Sequence, residues 1–209
     1  MLFRSVYLVY RELVSRGVIC ELPDVARRMY AAVVSDTGSF RFANTTSRTM
    51  RIAADLLDVV STDPSGKSAS DFAADMFGTR TRKEITAQKI ALENLEYIGD
   101  DVSLLCVSAD DMEANDLTED DVGNIVDLGR NIDGIKVALA LKQSVSDRHV
   151  FRLSTRANCD TDLARICFDS FGGGGHKRAA GATLYASTMA EAKAVVIGAF
   201  AEKYKEYLK

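Results

Sequence analysis

Residues 170–181 carry the clearest chemical signal in the sequence and read Ser-Phe-Gly-Gly-Gly-Gly-His-Lys-Arg-Ala-Ala-Gly. The four glycines at 172–175 free the backbone to adopt positive φ and leave no Cβ to obstruct a ligand. Such a backbone can form a concave nest of N–H groups that holds an anion. His176, Lys177 and Arg178 follow directly and add a hydrogen-bond donor and two cations. Together these residues indicate a partner that carries phosphate.

A strand predicted at residues 150–156 supplies a second group of polar side chains. Its sequence alternates, so that Phe151 and Leu153 fall on one face and Ser154 and Arg156 fall on the other. A helix predicted from Asp160 leads from the end of this strand to the glycines. We therefore expect Arg156, which can grip a phosphate with two parallel hydrogen bonds, to lie near the glycine run. The alternative is a glycine-rich turn that serves only the backbone.

A third candidate is the sequence Ser-Asp-Thr-Gly-Ser-Phe at residues 35–40. A carboxylate at the end of an apolar helix, followed by a glycine turn, can hold a hard divalent cation. A single aspartate in such a place can equally form a turn or a cap. From the residues alone, both interpretations of Asp36 stay open.

The composition limits the class of protein. The chain has 209 residues, 47% of them hydrophobic, and a net charge of -4. This length allows one large domain or two small ones, and nucleotide binding must come from a local basic patch because the overall charge is negative. The four cysteines form no Cys-x-x-Cys pair and are interpreted as free thiols, and no signal peptide is recognised; together these features predict a reducing cytoplasm. No uncharged run is long enough to span a bilayer.

The chain divides into a helical beginning and an α/β remainder. Apolar spacing predicts helices near residues 4–17, 22–35 and 45–57, and the polar stretch at 61–68 with Pro64 and Gly66 favours a linker. Beyond it, strands alternate with helices, which is typical of an α/β layer structure. We predict a mixed sheet of about five strands flanked by helices, and place the boundaries at 1–62, 63–80 and 81–209.

Three motifs together resemble one enzyme family. The run from Phe171 to Gly181 resembles the signature of the DHH-associated C-terminal domain. Residues 34–42, followed by Asn-Thr-Thr at 44–46, resemble the last motif of the DHH catalytic domain, and residues 153–156 resemble the family's Ser-x-Arg strand. In order and spacing, the chain is similar to the oligoribonuclease and pAp-phosphatase branch of the DHH phosphoesterases.

The resemblance implies a manganese-dependent phosphoesterase, a hydrolase of short RNA, 3′-phosphoadenosine 5′-phosphate (pAp), or linear or cyclic dinucleotides. In this family two metals activate water and clamp the phosphoryl group. Residues 1–62 would be the helical C-terminal part of the catalytic domain, 63–80 a linker, and 81–209 the substrate-binding domain. Asp36 would be a metal ligand. The implied substrate-binding residues are Arg156, Ser154, Gly173, Gly174, Gly175, His176 and Arg178.

The sequence also departs from the family pattern. It contains neither the Asp-x-Asp nor the Asp-His-His motif, and its only histidines are His149 and His176. It therefore resembles a family member without its N-terminal half, in which the catalytic set is incomplete. One carboxylate does not hold two Mn²⁺ ions. We expect this chain alone to bind nucleotide without binding manganese or hydrolysing its ligand at a useful rate.

Without the sheet that residues 1–60 cover in the family, Val33, Val34 and Leu56 should be partly exposed, and such a patch favours a homodimer or a larger assembly. The alternative function is a non-catalytic module for nucleotide or nucleic-acid binding, or for oligomerisation. No membrane partner is expected.

Overall fold

The computed structural model describes residues 2–41, 44–63, 71 and 79–203. The chain divides into two structural units, Met1–Thr79 and Arg80–Lys209. The linker predicted at 63–80 falls almost entirely outside the described residues, and the assignment of three functional segments stays a prediction.

The described part of the first unit contains three helices, α1 (Leu2–Ser15), α2 (Pro23–Asp36) and α3 (Ser47–Val60). Pro23 suits the first turn of α2, where the backbone N–H needs no partner inside the helix. Thr46 caps α3 by accepting a hydrogen bond from the Thr49 backbone N–H at 3.2 Å. The buried core of the unit comprises Tyr7, Ala26, Val33, Ile52, Ala53, Leu56, Val59 and Val60.

The expected exposure of this unit's apolar residues is wrong for α2 and α3. Val33, Val34 and Leu56 are only 1%, 5% and 1% exposed, because these two helices pack along each other. Exposed apolar side chains lie instead on α1, where Val6 and Val9 are 47% and 60% exposed.

Tyr7 joins α1 to α3. Its hydroxyl donates to the Asp55 carboxylate at 2.5 Å. Burial, followed by this hydrogen bond to a carboxylate, raises the pKa of Tyr7 from 10.0 to about 12. Neutral Tyr7 therefore stabilises the fold fully below pH 10, and this contribution is lost as the pH rises through about 12.

We predict that Tyr7→Phe lowers the free energy of unfolding by about 1–2 kcal/mol at neutral pH, since a hydrogen bond to a charged group is removed. The difference between wild type and variant should shrink above pH 10, where the unfolded state loses the Tyr7 proton first. Urea unfolding at several pH values measures it. Tyr97→Phe, at an exposed tyrosine of the other unit, is the control; a Tyr7→Phe effect that does not vary with pH contradicts the prediction.

The second unit is built on a six-stranded sheet in the order β1-β2-β3-β4-β6-β5. The pair β2–β3 is parallel and the other four pairs are antiparallel. The predicted mixed α/β fold is confirmed, with six strands where about five were expected. The strands are β1 (Glu96–Ile98), β2 (Val102–Val107), β3 (Val137–Gln143), β4 (Val150–Ala157), β5 (Gly174–His176) and β6 (Ala179–Tyr185).

Helices cover the two faces of this sheet unequally. One face packs against α7 (Leu163–Phe171) and α8 (Met189–Lys203), and this core extends across β2, β3, β4 and β6. The other face packs against α4 (Arg82–Glu93), α5 (Ala109–Ala114) and α6 (Val126–Arg130), but only over β2 and β3. On the same face, α6 also contacts β4 near Arg156, whereas none of the described helices packs over the rest of β4 and β6.

The segment at residues 119–130 is helical only in its last five residues. Only Val126–Arg130 is helical, and the preceding segment turns because the Asp121 carboxylate accepts hydrogen bonds from the backbone N–H and hydroxyl of Thr118. Among the described helices, none has the length and apolar character needed to cross a membrane.

Candidate functional site

Three rows of residues cross the uncovered part of the sheet, which we call the open face. Residues paired across neighbouring strands point to the same side, and successive rows along a strand lie about 7 Å apart. The rows are Arg156–Ala179–His176, Ser154–Gly181–Gly174 and Lys142–Arg152–Thr183. The predicted residues Arg156, Ser154, Gly174 and His176 therefore share one face.

The middle row forms a floor with almost no side chains. Ser154 contributes a single hydroxymethyl group, and Gly181 and Gly174 contribute none. Beside this floor lies a groove of about 570 Å³. The groove is lined by Lys142, Arg152, Leu153, Ser154, Phe171, Gly172, Gly173, Gly181, Ala182 and Thr183. A flat ligand can approach the sheet backbone here more closely than side chains would normally allow.

The first two glycines of the run end helix α7. Gly172 has φ +67°, and its N–H donates to the Phe168 carbonyl at 2.9 Å. The Gly173 N–H donates to the Cys167 carbonyl at 3.0 Å. These donors satisfy helix-end carbonyls, so the predicted anion nest is wrong at Gly172 and Gly173. Gly173 nevertheless lines the groove.

The glycines at 173, 174 and 175 lack a side chain for different structural reasons. A Cβ at Gly173 would lie 2.3 Å from the Gly181 carbonyl oxygen, and one at Gly175, where φ is +146°, would lie 2.6 Å from the Ala179 oxygen. Gly174 has no positive φ, and no described atom lies within 4 Å of the place its Cβ would occupy. The protein's own packing therefore requires glycine at 173 and 175, whereas at 174 glycine only keeps the open face clear.

Arg156 and His176 border the floor on the side away from the groove. The Arg156 guanidinium donates to the Thr155 carbonyl at 2.9 Å and lies 3.9 Å from the Asp127 carboxylate. The His176 side chain is exposed, and within the described part of the chain its ring has no hydrogen-bond partner. Both belong to the row next to the floor.

These residues lie in a part of the chain whose sequence matches a known protein family. Residues 101–202 match the DHHA1 domain family. The match includes β2 to β6 and all three rows of the open face.

Two curated proteins are similar over most of this chain. The "Probable bifunctional oligoribonuclease and PAP phosphatase NrnA" of Streptococcus mutans is 29% identical over 165 residues, which are 77% of this chain and 48% of that protein. The "Bifunctional oligoribonuclease and PAP phosphatase NrnA" of Thermus thermophilus is 27% identical over 181 residues, 86% of this chain and 51% of that protein. The chain thus spans about half the length of the curated relatives it matches.

One solved structure shows the same fold. The exopolyphosphatase-related protein from Bacteroides fragilis superposes with a TM-score of 0.78 at 23% identity, over 88% of this chain and 51% of that one. The predicted resemblance is confirmed: residues 101–202 match the DHHA1 domain family, and the chain is homologous to NrnA-type proteins.

Arg178 lies outside the groove lining of the DHHA1 domain. Lys177 and Arg178 form the turn between β5 and β6, and their side chains lie 2.7 Å and 4.0 Å from the Asp160 carboxylate. Their carbonyls accept hydrogen bonds from the backbone N–H groups of Leu163 and Ala157. The turn is therefore fixed to the rest of the domain, and substrate binding by Arg178 stays a prediction.

Lys142 was not predicted as a site residue. It is the second-to-last residue of β3, and its pairing with Arg152 places it on the open face. No described group forms a hydrogen bond or ion pair with its ammonium, whereas Arg152 pairs with the Glu119 carboxylate at 2.7 Å. Burial, followed by the charge of Arg152, lowers the pKa of Lys142.

Asp36 ends α2 in the first unit and is exposed. The Asn44 amide donates to its backbone oxygen at 2.8 Å and to its carboxylate at 3.3 Å. The neighbouring Thr37 hydroxyl is buried and donates to the Val33 carbonyl. The described residues contain no group of three His, Cys, Asp or Glu side chains that could hold a metal ion. The described residues therefore do not fit a two-metal centre. Metal binding by Asp36 stays a prediction.

Gly173→Ala and Gly174→Ala make a matched pair of substitutions. We predict that the first lowers the free energy of unfolding by about 1–3 kcal/mol, because the new methyl group overlaps backbone, and that the second changes it by less than about 0.5 kcal/mol. Thermal and urea unfolding measure both. Equal destabilisation by the two variants would contradict the separate reasons given for these glycines.

Proposed function

We propose that the open face binds the phosphate and sugar of a nucleotide, and that this chain supplies nucleotide binding to a manganese-dependent phosphoesterase. The substrates proposed are short RNA, pAp, and linear or cyclic dinucleotides. The observation that carries the proposal is the floor of Ser154, Gly181 and Gly174, bordered by Arg156 and His176. The names of the homologous proteins support the same class of substrate.

The chemistry of the open face suits such a ligand. An arginine presents a planar fork that matches two phosphate oxygens, and an exposed imidazole adds a donor. Between the cations, a floor without Cβ atoms lets a flat sugar or base lie against the sheet. Because the whole chain has a net charge of -4, attraction for an anion is local to these cations and falls as salt is added.

In the reaction, the role that we propose for this chain is to position the phosphate of the ligand. Holding a phosphate in one orientation prepares it for attack, and such positioning is a large part of phosphoryl-transfer catalysis. Asp36 is the one carboxylate of its motif, and the described residues offer no complete metal centre. We therefore propose that this chain binds its ligand without hydrolysing it at a useful rate.

Arg156→Ala and His176→Ala test the site. We predict that Arg156→Ala weakens binding of pAp and of a 5′-phosphorylated dinucleotide by about 10- to 100-fold, the effect of losing a charge-assisted hydrogen bond, and that His176→Ala weakens it less. Calorimetry on the purified chain measures the affinities. Arg148→Ala is the matched control, because Arg148 is exposed and pairs with Asp110 and Glu113 away from the groove lining.

The same samples, incubated with Mn²⁺, show whether the ligand is cut. No binding by the wild type, or binding unaffected by Arg156→Ala, would refute the proposed site. Rapid hydrolysis that Asp36→Ala abolishes would instead refute the proposal that this chain only binds. The two results are independent because Asp36 and Arg156 lie in different structural units.

Self-association is a second proposal and rests on α1. Val6, Leu8 and Val9 are 47%, 49% and 60% exposed on this helix, and several exposed apolar side chains on one helix favour contact with another protein surface. We predict a homodimer or a larger assembly, from which Leu8→Glu with Val9→Glu releases monomer. Light scattering across a concentration series measures the mass, and a wild-type monomer at the highest concentration would contradict the prediction.

A further inference from the structure

Lys142 differs from the other lysines whose side chains the structure describes. Each of those others pairs with a carboxylate: Lys83 with Asp116, Lys89 with Glu93, Lys136 with Asp101, Lys177 with Asp160 and Lys193 with Glu96. Lys142 forms no hydrogen bond or ion pair with any described group. Its side chain is also partly buried near the end of β3. Among these lysines, Lys142 alone has an amine that can react without first breaking an ion pair.

Two spaces meet at the Lys142 side chain. One is the groove of the open face, and the other is a smaller cavity of about 110 Å³. Lys142 and Arg152 line both spaces, and the remaining lining of the cavity is Met112, Glu119, Asp120, Val122, Gln143 and Ser144. The cavity exceeds the roughly 30 Å³ that one water molecule occupies in the liquid. A reagent can therefore approach the amine from the groove, and a small group attached to the amine has room in the cavity.

The charged groups around Lys142 favour its neutral form. Burial, followed by the charge of Arg152, lowers the pKa of Lys142. Arg156 lowers this pKa further, and Glu119 opposes the change. The Glu119 carboxylate is itself paired with Arg152 at 2.7 Å, and Asp120 is the other acid that lines the cavity. At a given pH the neutral amine, which is the nucleophilic form of lysine, is therefore more abundant at Lys142 than at an exposed lysine.

We propose that Lys142 is a site of covalent modification, where its amine takes an acyl group from an acyl phosphate. The nitrogen attacks the carbonyl carbon of the donor and forms a C–N bond. The C–O bond to the phosphate breaks, and the phosphate leaves with that electron pair and with the proton that the nitrogen gives up. The products are an amide and inorganic phosphate, and nothing is oxidised or reduced.

Arg152 suits a donor of this class. It lies opposite Lys142 in the register of β3 and β4, so its positive charge is close to the reacting amine. A guanidinium carries five N–H donors, more than one carboxylate can use. Arg152 can therefore keep its pair with Glu119 and still donate to the departing phosphate.

Acylation changes the charge of the cavity and the groove. It removes the positive charge of Lys142 and leaves Arg152 with its partner Glu119. A neutral amide also costs less to bury than a cation without a partner, so the acylated chain should melt at the same temperature as the unmodified chain or at a higher one. The reaction needs neither a nucleotide nor a metal ion, and its test is therefore independent of the proposed function.

The test incubates the folded chain with acetyl phosphate and follows each lysine by peptide mass spectrometry. We expect Lys142 to be acetylated about threefold or more faster than Lys136, because the ion pair of Lys136 with Asp101 must break before its amine reacts. The rate at Lys142 should also reach its plateau at a lower pH than the rate at Lys136. In guanidinium chloride, where the chain is unfolded, the two lysines should react alike.

Lys142→Arg removes the acceptor and keeps the positive charge, because a guanidinium does not deprotonate in this range. Total incorporation of acetyl groups should fall by the share that Lys142 takes in the wild type. The rates at Lys136 and Lys177 should stay the same, which shows that the variant is folded.

Arg152→Gln tests the surroundings of the amine. Without Arg152, the Glu119 carboxylate is free to pair with Lys142, and acetylation of Lys142 should slow by about threefold or more. Arg148→Gln is the matched control, because Arg148 is an exposed arginine that lines neither the cavity nor the groove. It should leave the rate at Lys142 unchanged.

A faster reaction at Lys142 that requires the fold and Arg152 supports the modification site. Acetylation of Lys142 no faster than that of Lys136 in the folded wild type would overturn it, and this comparison needs no variant to fold. A rate advantage of Lys142 that persists in the unfolded chain or in Arg152→Gln would overturn it as well. None of these rates depends on nucleotide binding, so failure here is distinguishable from failure of the proposed function.

Discussion

The close approach of three backbone segments is the constraint on which the open face depends. A Cβ at Gly181 would lie 2.8 Å from the Leu153 carbonyl, and one at Gly173 would lie 2.3 Å from the Gly181 carbonyl. β4, β6 and the start of the glycine run can pack this tightly only because these positions lack side chains. The same property leaves a bare floor between two cationic rows, so the tight packing and the proposed binding surface have one cause.

The unequal coverage of the sheet by helices leaves this floor exposed. Helices α4, α5 and α6 bury one face only over β2 and β3, while α7 and α8 support β4 and β6 from behind. Polar residues of β4 can therefore face solvent while their apolar neighbours Phe151 and Leu153 stay buried. A rigid sheet, rather than a loop, positions Arg156 and Ser154, which favours precise placement of a ligand.

Local patterns in the sequence predicted much of the site. The period of two along residues 150–156 correctly placed Ser154 and Arg156 together, because strand alternation is a local property. Lys142 was missed because its place beside Arg152 depends on the register between β3 and β4, which neither strand encodes alone. The role of Gly172 and Gly173 in ending α7 could have been predicted from the sequence, because helices commonly end at a glycine.

The two edge strands of the sheet, β1 and β5, are each only three residues long. Long exposed edges expose unpaired backbone groups that can recruit strands from other molecules, and short edge strands limit such pairing. A glycine-rich edge at β5 also has little tendency to extend. The sheet can therefore keep an uncovered face for a ligand while offering other sheets little edge on which to grow.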